Sequence, residues 1–189
     1  MKLYELDQSD TYFTMSFHEW AIEAHHKAGC TYSGYNYKLH LDAVRNVARQ
    51  YLHLIKSEFR IPVLLSASAH DIIEDTNVSY NDIINQSYGK GDPLAVKTAD
   101  IVYNVTNELG RNRKERSEKT YPKIASCTES TFIKLCDRIA NGKFSYFVND
   151  EKGMFDLYKK ESPEFYKALH RQEHGFEVMW NELQALMLR

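Results

Sequence analysis

The sequence predicts an all-α fold, a single compact helical domain, and three observations carry that prediction. Glycine and proline are scarce, with 8 and 4 copies in 189 residues, so few positions break a helix. Between them, apolar residues recur at the three- and four-residue spacing of one helical face. We find no alternating or turn-flanked apolar run of the kind that predicts a strand or hairpin. One domain over residues 1–189 is expected, since a second full-sized domain would not fit.

The first third of the chain predicts two helices separated by an irregular stretch. Ser16 and Glu19 have the spacing of a capping box, so a helix is expected from there to about Lys27. Residues 30–36, flanked by and containing glycine, are expected to be irregular. A long helix is then expected over about 37–56. Its apolar face is Leu41, Val44, Val47, Ala48, Tyr51, Leu52 and Ile55.

Three further helix starts follow. Pro62 suits the first turn of a helix whose residues 63–69 are nearly all small or apolar, which predicts a buried central helix. Ser79 and Asp82 predict the cap of a short helix that ends near residue 88. Asp92-Pro93 predicts the start of another, which carries Val102.

The last third is more varied. Residues 111–123 are polar and basic, and a helix is expected from about Thr131. Ser162-Pro163-Glu164 predicts the start of the last helix. Its apolar stripe is interpreted as core packing; the stripe comprises Phe165, Leu169, Phe176, Met179, Trp180, Leu183 and Leu186.

Composition excludes several classes of function. Lys and Arg number 24 against 26 Asp and Glu, so the net charge of −2 gives no general basic field for nucleic acid. No apolar run is long enough to span a membrane, and the N-terminus lacks the apolar core of a secretory signal. The odd set Cys30, Cys127 and Cys136 has no CxxC spacing and predicts reduced thiols. A cytoplasmic protein is expected.

The chemistry-bearing signal is the run His70-Asp71-Ile72-Ile73-Glu74-Asp75. Its four ionisable residues would span roughly 140° of one helical face, directly after the most apolar helix. Buried carboxylates cost several kcal/mol, as an order of magnitude, unless they are paired or bound to metal. The alternative is that the helix reaches the surface here and its charges meet water.

Two distant residues favour a metal site. His40 lies on the apolar side of its helix, and Asp137 interrupts an otherwise apolar helix. With His70 and Asp71 they offer two nitrogens and two carboxylate oxygens, a mixed set that suits Mn²⁺, Fe²⁺ or Zn²⁺ and leaves positions open for water and substrate. A single inward histidine is otherwise more often a hydrogen-bonded core residue.

The order H…HD…D resembles the signature of the HD-domain metal-dependent phosphohydrolases, and further segments resemble their RelA/SpoT-type branch, including the small alarmone hydrolases. The match covers roughly residues 16–147, and helices over 152–188 are expected to pack on that core. The matching segments are Tyr37-Lys38-Leu39-His40, the HDxxEDT-like residues 70–76, the VxxVT-like residues 102–106, the charged residues 116–123, and the KLxDRxxN-like residues 134–141.

The resemblance implies a site and a reaction. It implies Mn²⁺, or another divalent transition metal, held by His40, His70, Asp71 and Asp137. Glu74 and Asp75 would act on the nucleophilic water, and Asn141 would lie near the ribose. The reaction that the resemblance implies is hydrolysis of (p)ppGpp at its 3′ position, which releases pyrophosphate and GDP or GTP. This reaction belongs to the stringent response.

Substrate contacts are assigned to basic and aromatic residues. Residues 111–123 carry a local charge of +4 and could hold phosphates, or could be a solvated helix face. Arg138 could contact phosphate or pair with a carboxylate such as Glu74. Where the family carries an arginine that packs on guanine, this chain has Thr31, and Lys27 or Tyr32 could substitute. The basic candidates for phosphate are Arg111, Arg113, Lys114 and Arg116.

Two other functions stay open. One is an HD phosphohydrolase for another nucleotide, such as an adenine alarmone or a deoxynucleoside monophosphate. The other is a non-catalytic metal- or nucleotide-binding module. The expected partner is a small-molecule nucleotide in each case, and the oligomeric state is not predicted.

Overall fold

The computed structural model describes residues 7–148 and 153–189, and these are α-helical apart from turns, three short 3₁₀ segments and one small hairpin. The predicted all-α class is confirmed. Residue 152, where the C-terminal helices were expected to begin, lies outside the described ranges. The helices are α1 Gln8–Lys27, α2 Lys38–Tyr51, α3 Arg60–Ala69, α4 Ile72–Asp75, α5 Tyr80–Gln86, α6 Pro93–Val105, α7 Arg113–Ala125, α8 Thr128–Phe147, α9 Met154–Leu169 and α10 Glu177–Met187. None of the described helices is long and apolar enough to cross a membrane.

The first helix ends at Lys27 as predicted but begins earlier than the Ser16–Glu19 pair. The Asp7 side chain accepts a hydrogen bond from the backbone N–H of Asp10 (2.8 Å) and caps the helix there. A carboxylate at this position satisfies an N–H of the first turn and suits the positive end of the helix dipole. The capping-box spacing at Ser16 therefore falls in the helix interior.

Residues 31–36 form a two-stranded antiparallel hairpin, β1 Thr31–Tyr32 and β2 Tyr35–Asn36, where no strand was predicted. Ser33 and Gly34 make the turn with φ values of 49° and 85°. Two residues with positive φ match the twist of paired strands, and glycine adopts this conformation without strain. The strands are too short to show an alternating pattern, and for this reason the hairpin was not predicted.

The central helix α3 is buried as predicted, with every residue from Pro62 to Ala69 inaccessible. Val63, Leu64 and Ala67 pack into a hydrophobic cluster with α2, α6 and α8–α10. The opposite face of α3 joins a second cluster, shared with α1, α5 and α6. Because α3 has apolar neighbours on both sides, it fixes the position of the residues that follow its C-terminus.

The starts at Ser79 and Asp92 are confirmed. Ser79 and Asp82 form a reciprocal capping box, and the Asp92 side chain accepts from the N–H of Leu94. The other long helices differ at their ends. Helix α2 stops at Tyr51 and passes into a 3₁₀ turn, and α8 begins at Thr128.

The predicted start at Ser162-Pro163 is wrong, because α9 runs through these residues from Met154. Pro163 removes one backbone donor from the helix, but Phe165 and Leu169 beyond it are buried in the core, and this tertiary packing maintains the helix across the proline. The apolar stripe is divided between α9 and α10. Its interpretation as core packing is confirmed by the buried Trp180 and Leu183.

Leu64→Ala is expected to lower the free energy of unfolding by about 3 kcal/mol, because it removes a fully buried side chain and leaves a cavity. The matched control is Leu109→Ala at a side chain that is 90% exposed, which should change the same quantity by less than about 0.5 kcal/mol. Urea denaturation measures both. Equal midpoints for the two variants would contradict the assignment of α3 to the core.

Candidate active site

The chain bends directly after α3, at His70 and Asp71. These two residues form a turn between α3 and the single-turn helix α4. The expected single helical face carrying all four ionisable residues of this segment is therefore wrong. On a regular helix, consecutive side chains point about 100° apart. The turn instead lets the Nε2 of His70 and the Oδ2 of Asp71 lie 3.0 Å apart.

Four potential metal-ligand atoms meet at this turn. The Nε2 of His40, from the first turn of α2, lies 3.0 Å from the Nε2 of His70 and 3.2 Å from the Oδ2 of Asp71. The Oδ1 of Asp137, from the middle of α8, lies 3.6 Å from the His40 nitrogen and 3.9 Å from the His70 nitrogen. Both histidines and Asp137 are buried. The four residues that sequence analysis assigned to a metal are thus brought together.

The histidine orientations suit a cation. The Nδ1–H of His70 donates to the backbone carbonyl of Ala67 (3.1 Å), so Nε2 is the nitrogen that faces the other candidate ligand atoms. The ring of Tyr32 stacks on that of His40 with centroids 4.7 Å apart and fixes its plane. Two imidazole nitrogens only 3.0 Å apart repel unless a proton or a cation lies between them. A mixed set of two nitrogens and two oxygens fits a divalent transition metal.

His70 and the aspartates of the cluster stabilise one another's charged forms, as their pKa shifts indicate. Burial lowers the pKa of His70, but the negative charges of Asp71 and Asp137 outweigh burial and raise it to about 9. Burial also disfavours the ionised form of Asp71, but the two histidines hold its pKa well below the usual range. The pKa of Asp137 is lowered as well, since Lys134 and the histidines outweigh its burial. Both aspartates are therefore carboxylates, the form that binds a metal.

Tyr37 links the cluster to Asp75. Its hydroxyl lies 2.7 Å from the Oδ2 of Asp71 and 2.7 Å from the Oδ2 of Asp75, and its ring stacks on that of His25. A hydroxyl has one proton and donates to one carboxylate at a time. Burial and the charge of Asp71 raise the pKa of Asp75, so Asp75 is the group that can share its own proton with the Tyr37 oxygen.

A second chain of hydrogen bonds orients Asp137. The Lys134 ammonium donates to its Oδ2 (3.0 Å), and the Asn141 side-chain amide donates to its Oδ1. The Asn141 carbonyl oxygen in turn accepts from the Tyr32 hydroxyl (2.7 Å). The hairpin is thereby connected to the candidate metal centre through Asn141.

Glu74 faces the same cleft and is fixed by a single partner. The Asn107 side-chain amide donates to both of its carboxylate oxygens (3.0 Å each), and the Asn107 backbone N–H donates to Oε2 (3.2 Å). The orientation of Glu74 is therefore set by the residue that follows the C-cap of α6.

A cleft of about 250 Å³ is lined by acidic residues, among them Asp71, Glu74 and Asp137, and also by arginines. Of the predicted substrate contacts, Tyr32, Arg113, Arg116, Arg138 and Asn141 line it. Arg113 and Arg116 are three residues apart in α7 and share a helical face. Gly110 lies against this helix so closely that a Cβ would approach the Arg116 nitrogen to 2.9 Å.

Three predicted substrate contacts do not reach the cleft. Lys27 lines a separate depression beside α1 and pairs with Glu23. Arg111 precedes α7 and pairs with Glu115, and Lys114 points away on the far face of the helix. Their positive charge alone suggested a role, but the helical phase of residues 111–116 decides which side chains reach the cleft.

Of the two roles considered for Arg138, pairing with a carboxylate is present in the structure, but the partner is Glu161 and not Glu74. Sequence analysis assigned no role to Glu161, Asn107, Lys134 or Tyr37. Lys134 could have been found from its i, i+3 spacing to Asp137. Glu161 was missed because the predicted helix start at Ser162 left it in a connecting segment.

The fold and this cluster define an all-α protein with a buried site suited to a divalent cation, as the HD pair predicts. A scan against protein-family models found no match, and a search of curated proteins found no relative. Among solved structures, the chain is similar to a metazoan ortholog of SpoT that hydrolyses ppGpp and plays a role in starvation responses. The TM-score is 0.66 at 20% sequence identity, over 97% of each chain. The chain therefore has the fold that the RelA/SpoT-type resemblance implies.

Tyr37→Phe is expected to weaken divalent-metal binding by about 10- to 100-fold, the usual effect of removing a partner of a metal ligand. The variant loses the hydroxyl between Asp71 and Asp75 but keeps the ring that stacks on His25. Calorimetric titration with Mn²⁺ measures the change.

The matched control is Tyr80→Phe, which removes a hydroxyl that donates to Asp100 (2.7 Å) outside the cleft. This variant should bind Mn²⁺ like the unmodified protein. Equal affinities for the Tyr37 and Tyr80 variants would exclude Tyr37 as a support of the metal ligands.

Proposed function

We propose that this chain is a metal-dependent HD phosphohydrolase, and that its reaction is the removal of the 3′ pyrophosphate of (p)ppGpp to give GDP or GTP. The observation that carries the proposal is the cluster of His40, His70, Asp71 and Asp137 beside a cleft that three arginines also line. The shared fold with a protein that hydrolyses ppGpp supports the choice of substrate.

The proposed metal is Mn²⁺, with those four residues as its ligands. When bound, such a cation supplies Lewis acidity, which lowers the pKa of water and offsets the charge of phosphoryl oxygens. The protein's part is to keep both aspartates ionised and both histidine nitrogens directed at one point, as the contacts with Ala67, Lys134 and Tyr37 favour.

Two carboxyl groups are proposed to handle the proton of the attacking water. Glu74 is the proposed base, because Asn107 holds its carboxylate at the cleft in one orientation. Asp75 is the proposed proton store, because its pKa is raised by burial and by Asp71, and because it contacts the Tyr37 hydroxyl. Attack of the water on the phosphorus next to the ribose breaks the bond between that phosphorus and the 3′ oxygen, so a proton accepted at Glu74 can then pass to the 3′ oxygen of the departing GDP or GTP.

The arginines that line the cleft are proposed to hold the phosphates. Arg113, Arg116 and Arg138 carry planar guanidinium groups suited to phosphate oxygens. Asn141 and Tyr32 also line the cleft and are hydrogen-bonded to each other, and they are proposed to face the nucleoside.

A second candidate is the same chemistry on another nucleotide, an adenine alarmone or a deoxynucleoside monophosphate. The observation that favours it is Thr31, which occupies the place of the family's guanine-packing arginine and does not line the cleft. Tyr32 lines the cleft next to it, and an aromatic ring stacks on guanine and adenine alike.

The first experiment measures pyrophosphate and phosphate release with Mn²⁺ from ppGpp, ppApp, dGMP and GTP in parallel. We expect pyrophosphate from ppGpp. Release from another nucleotide with ppGpp inert would identify the second candidate. Metal binding without turnover of any of these nucleotides would identify a non-catalytic binding module.

Glu74→Gln is expected to reduce kcat by about 10²- to 10⁴-fold, the usual contribution of a general base, while Mn²⁺ affinity is retained. Asp137→Ala should instead abolish Mn²⁺ binding, since it removes a ligand. Glu118→Gln makes the same change of charge at an exposed position and should match the unmodified enzyme. Full turnover by the Glu74 variant would show that another group accepts the proton.

A further inference from the structure

One carboxylate, Glu161 of α9, binds two of the cleft arginines at once. Its Oε1 accepts from the Nε of Arg113 (2.5 Å), and its Oε2 accepts from the Nη2 of the same arginine (3.1 Å). The Oε2 atom also accepts from the Nη1 of Arg138 (3.0 Å). Three helices, α7, α8 and α9, are joined at this point.

The two arginines differ in how firmly the rest of the protein holds them. The Arg138 side chain is 7% exposed, and its guanidinium lies 4.8 Å and 4.6 Å from the ring centroids of Tyr158 and Phe165. Arg113 is 43% exposed and lies 5.8 Å from the Tyr158 centroid alone. Packing therefore holds Arg138, whereas the position of Arg113 depends mainly on Glu161.

The bonds to Glu161 use only part of each guanidinium group. Nη1 of Arg113, and Nε and Nη2 of Arg138, have no hydrogen-bond partner among the described residues. Both arginines line the cleft, whereas Glu161 is not among the residues that line it. Because a guanidinium is rigid and planar, a carboxylate on one edge directs the remaining N–H groups to the other side.

We propose that Glu161 is a positioning residue for the phosphate site, which holds Arg113 beside Arg138 so that their remaining N–H groups face the cleft together. The proposal rests on the proposed function only for the identity of the phosphorylated ligand. An Arg113 without Glu161 would extend into water, and a terminal phosphate would then lose the second of two adjacent donors.

Glu161→Gln tests this arrangement kinetically. The amide has the same shape but no charge and only one acceptor oxygen, so it cannot keep the two-point contact with Arg113 together with the bond to Arg138. We expect KM for ppGpp to rise about tenfold with kcat changed by less than about twofold, since one charge-assisted contact is weakened. Arg113→Gln should give the same change, and the double variant should be no worse than either single variant, because the two residues act as a unit.

The control with the same change of charge is Glu118→Gln, which should leave KM unaltered. An unchanged KM in the Glu161 variant would overturn the proposal. A lower KM would overturn it too, since Glu161 would then weaken phosphate binding through its charge. Should Glu161→Gln fail to fold, Arg113→Gln leaves the buried Arg138–Glu161 pair intact and tests the same prediction.

A second readout needs no turnover. Phenylglyoxal labelling of single arginines, followed by peptide mass spectrometry, reports the exposure of Arg113 relative to Arg111 on the same segment. Glu161→Gln should speed labelling of Arg113 several-fold, and pyrophosphate with Mn²⁺ should protect Arg113 and Arg138 in the unmodified protein. Unchanged labelling would refute the role of Glu161. If the unmodified protein shows this labelling pattern but does not hydrolyse ppGpp, only the assignment of the nucleotide is refuted.

Discussion

The structure depends on a cluster in which each of two buried imidazoles lies within 4 Å of the other imidazole and of two carboxylates. Such groups are costly away from water unless their charges and hydrogen bonds are satisfied. Their ligand atoms come from α2, α8 and the turn after α3, so these three segments must keep a fixed arrangement. The apolar packing of α3 on both faces provides it. A cation bound by these four residues would hold the three segments together more firmly.

Most of the charged groups in the cleft are held by a hydrogen-bond partner. Asn107 holds Glu74, Lys134 holds Asp137, and Glu161 holds two arginines. Side chains restrained in this way lose little conformational entropy when a ligand arrives. Arg116 is the exception, since it has no ion-pair partner in the described part of the chain. It is therefore the cleft cation whose charge is least offset before a phosphate binds.

Sequence patterns correctly predicted the features that depend on neighbouring residues in the chain. The buried helix α3 and the caps at Ser79 and Asp92 follow from residue spacing, and the metal-ligand set follows from the HD pair with two inward polar residues. The errors arise where distant contacts decide. Pro163 lies inside α9 because its neighbours are buried, and the 31–36 hairpin is too short to show a period. The phosphate candidates were selected by charge, although helical phase separates Arg113 from Lys114.

The segment beyond the sequence resemblance is part of the cleft's machinery as well as of the core. Tyr158, Glu161 and Phe165 recur at three- and four-residue spacing on one face of α9. Tyr158 and Glu161 contact both Arg113 and Arg138, and Phe165 contacts Arg138. The two arginines, Arg113 on α7 and Arg138 on α8, lie inside the region of resemblance. Arg138 is buried, so without α9 its charge would lack its only carboxylate partner among the described residues. The same three side chains therefore both orient the cleft arginines and attach the C-terminal helix α9 to α7 and α8.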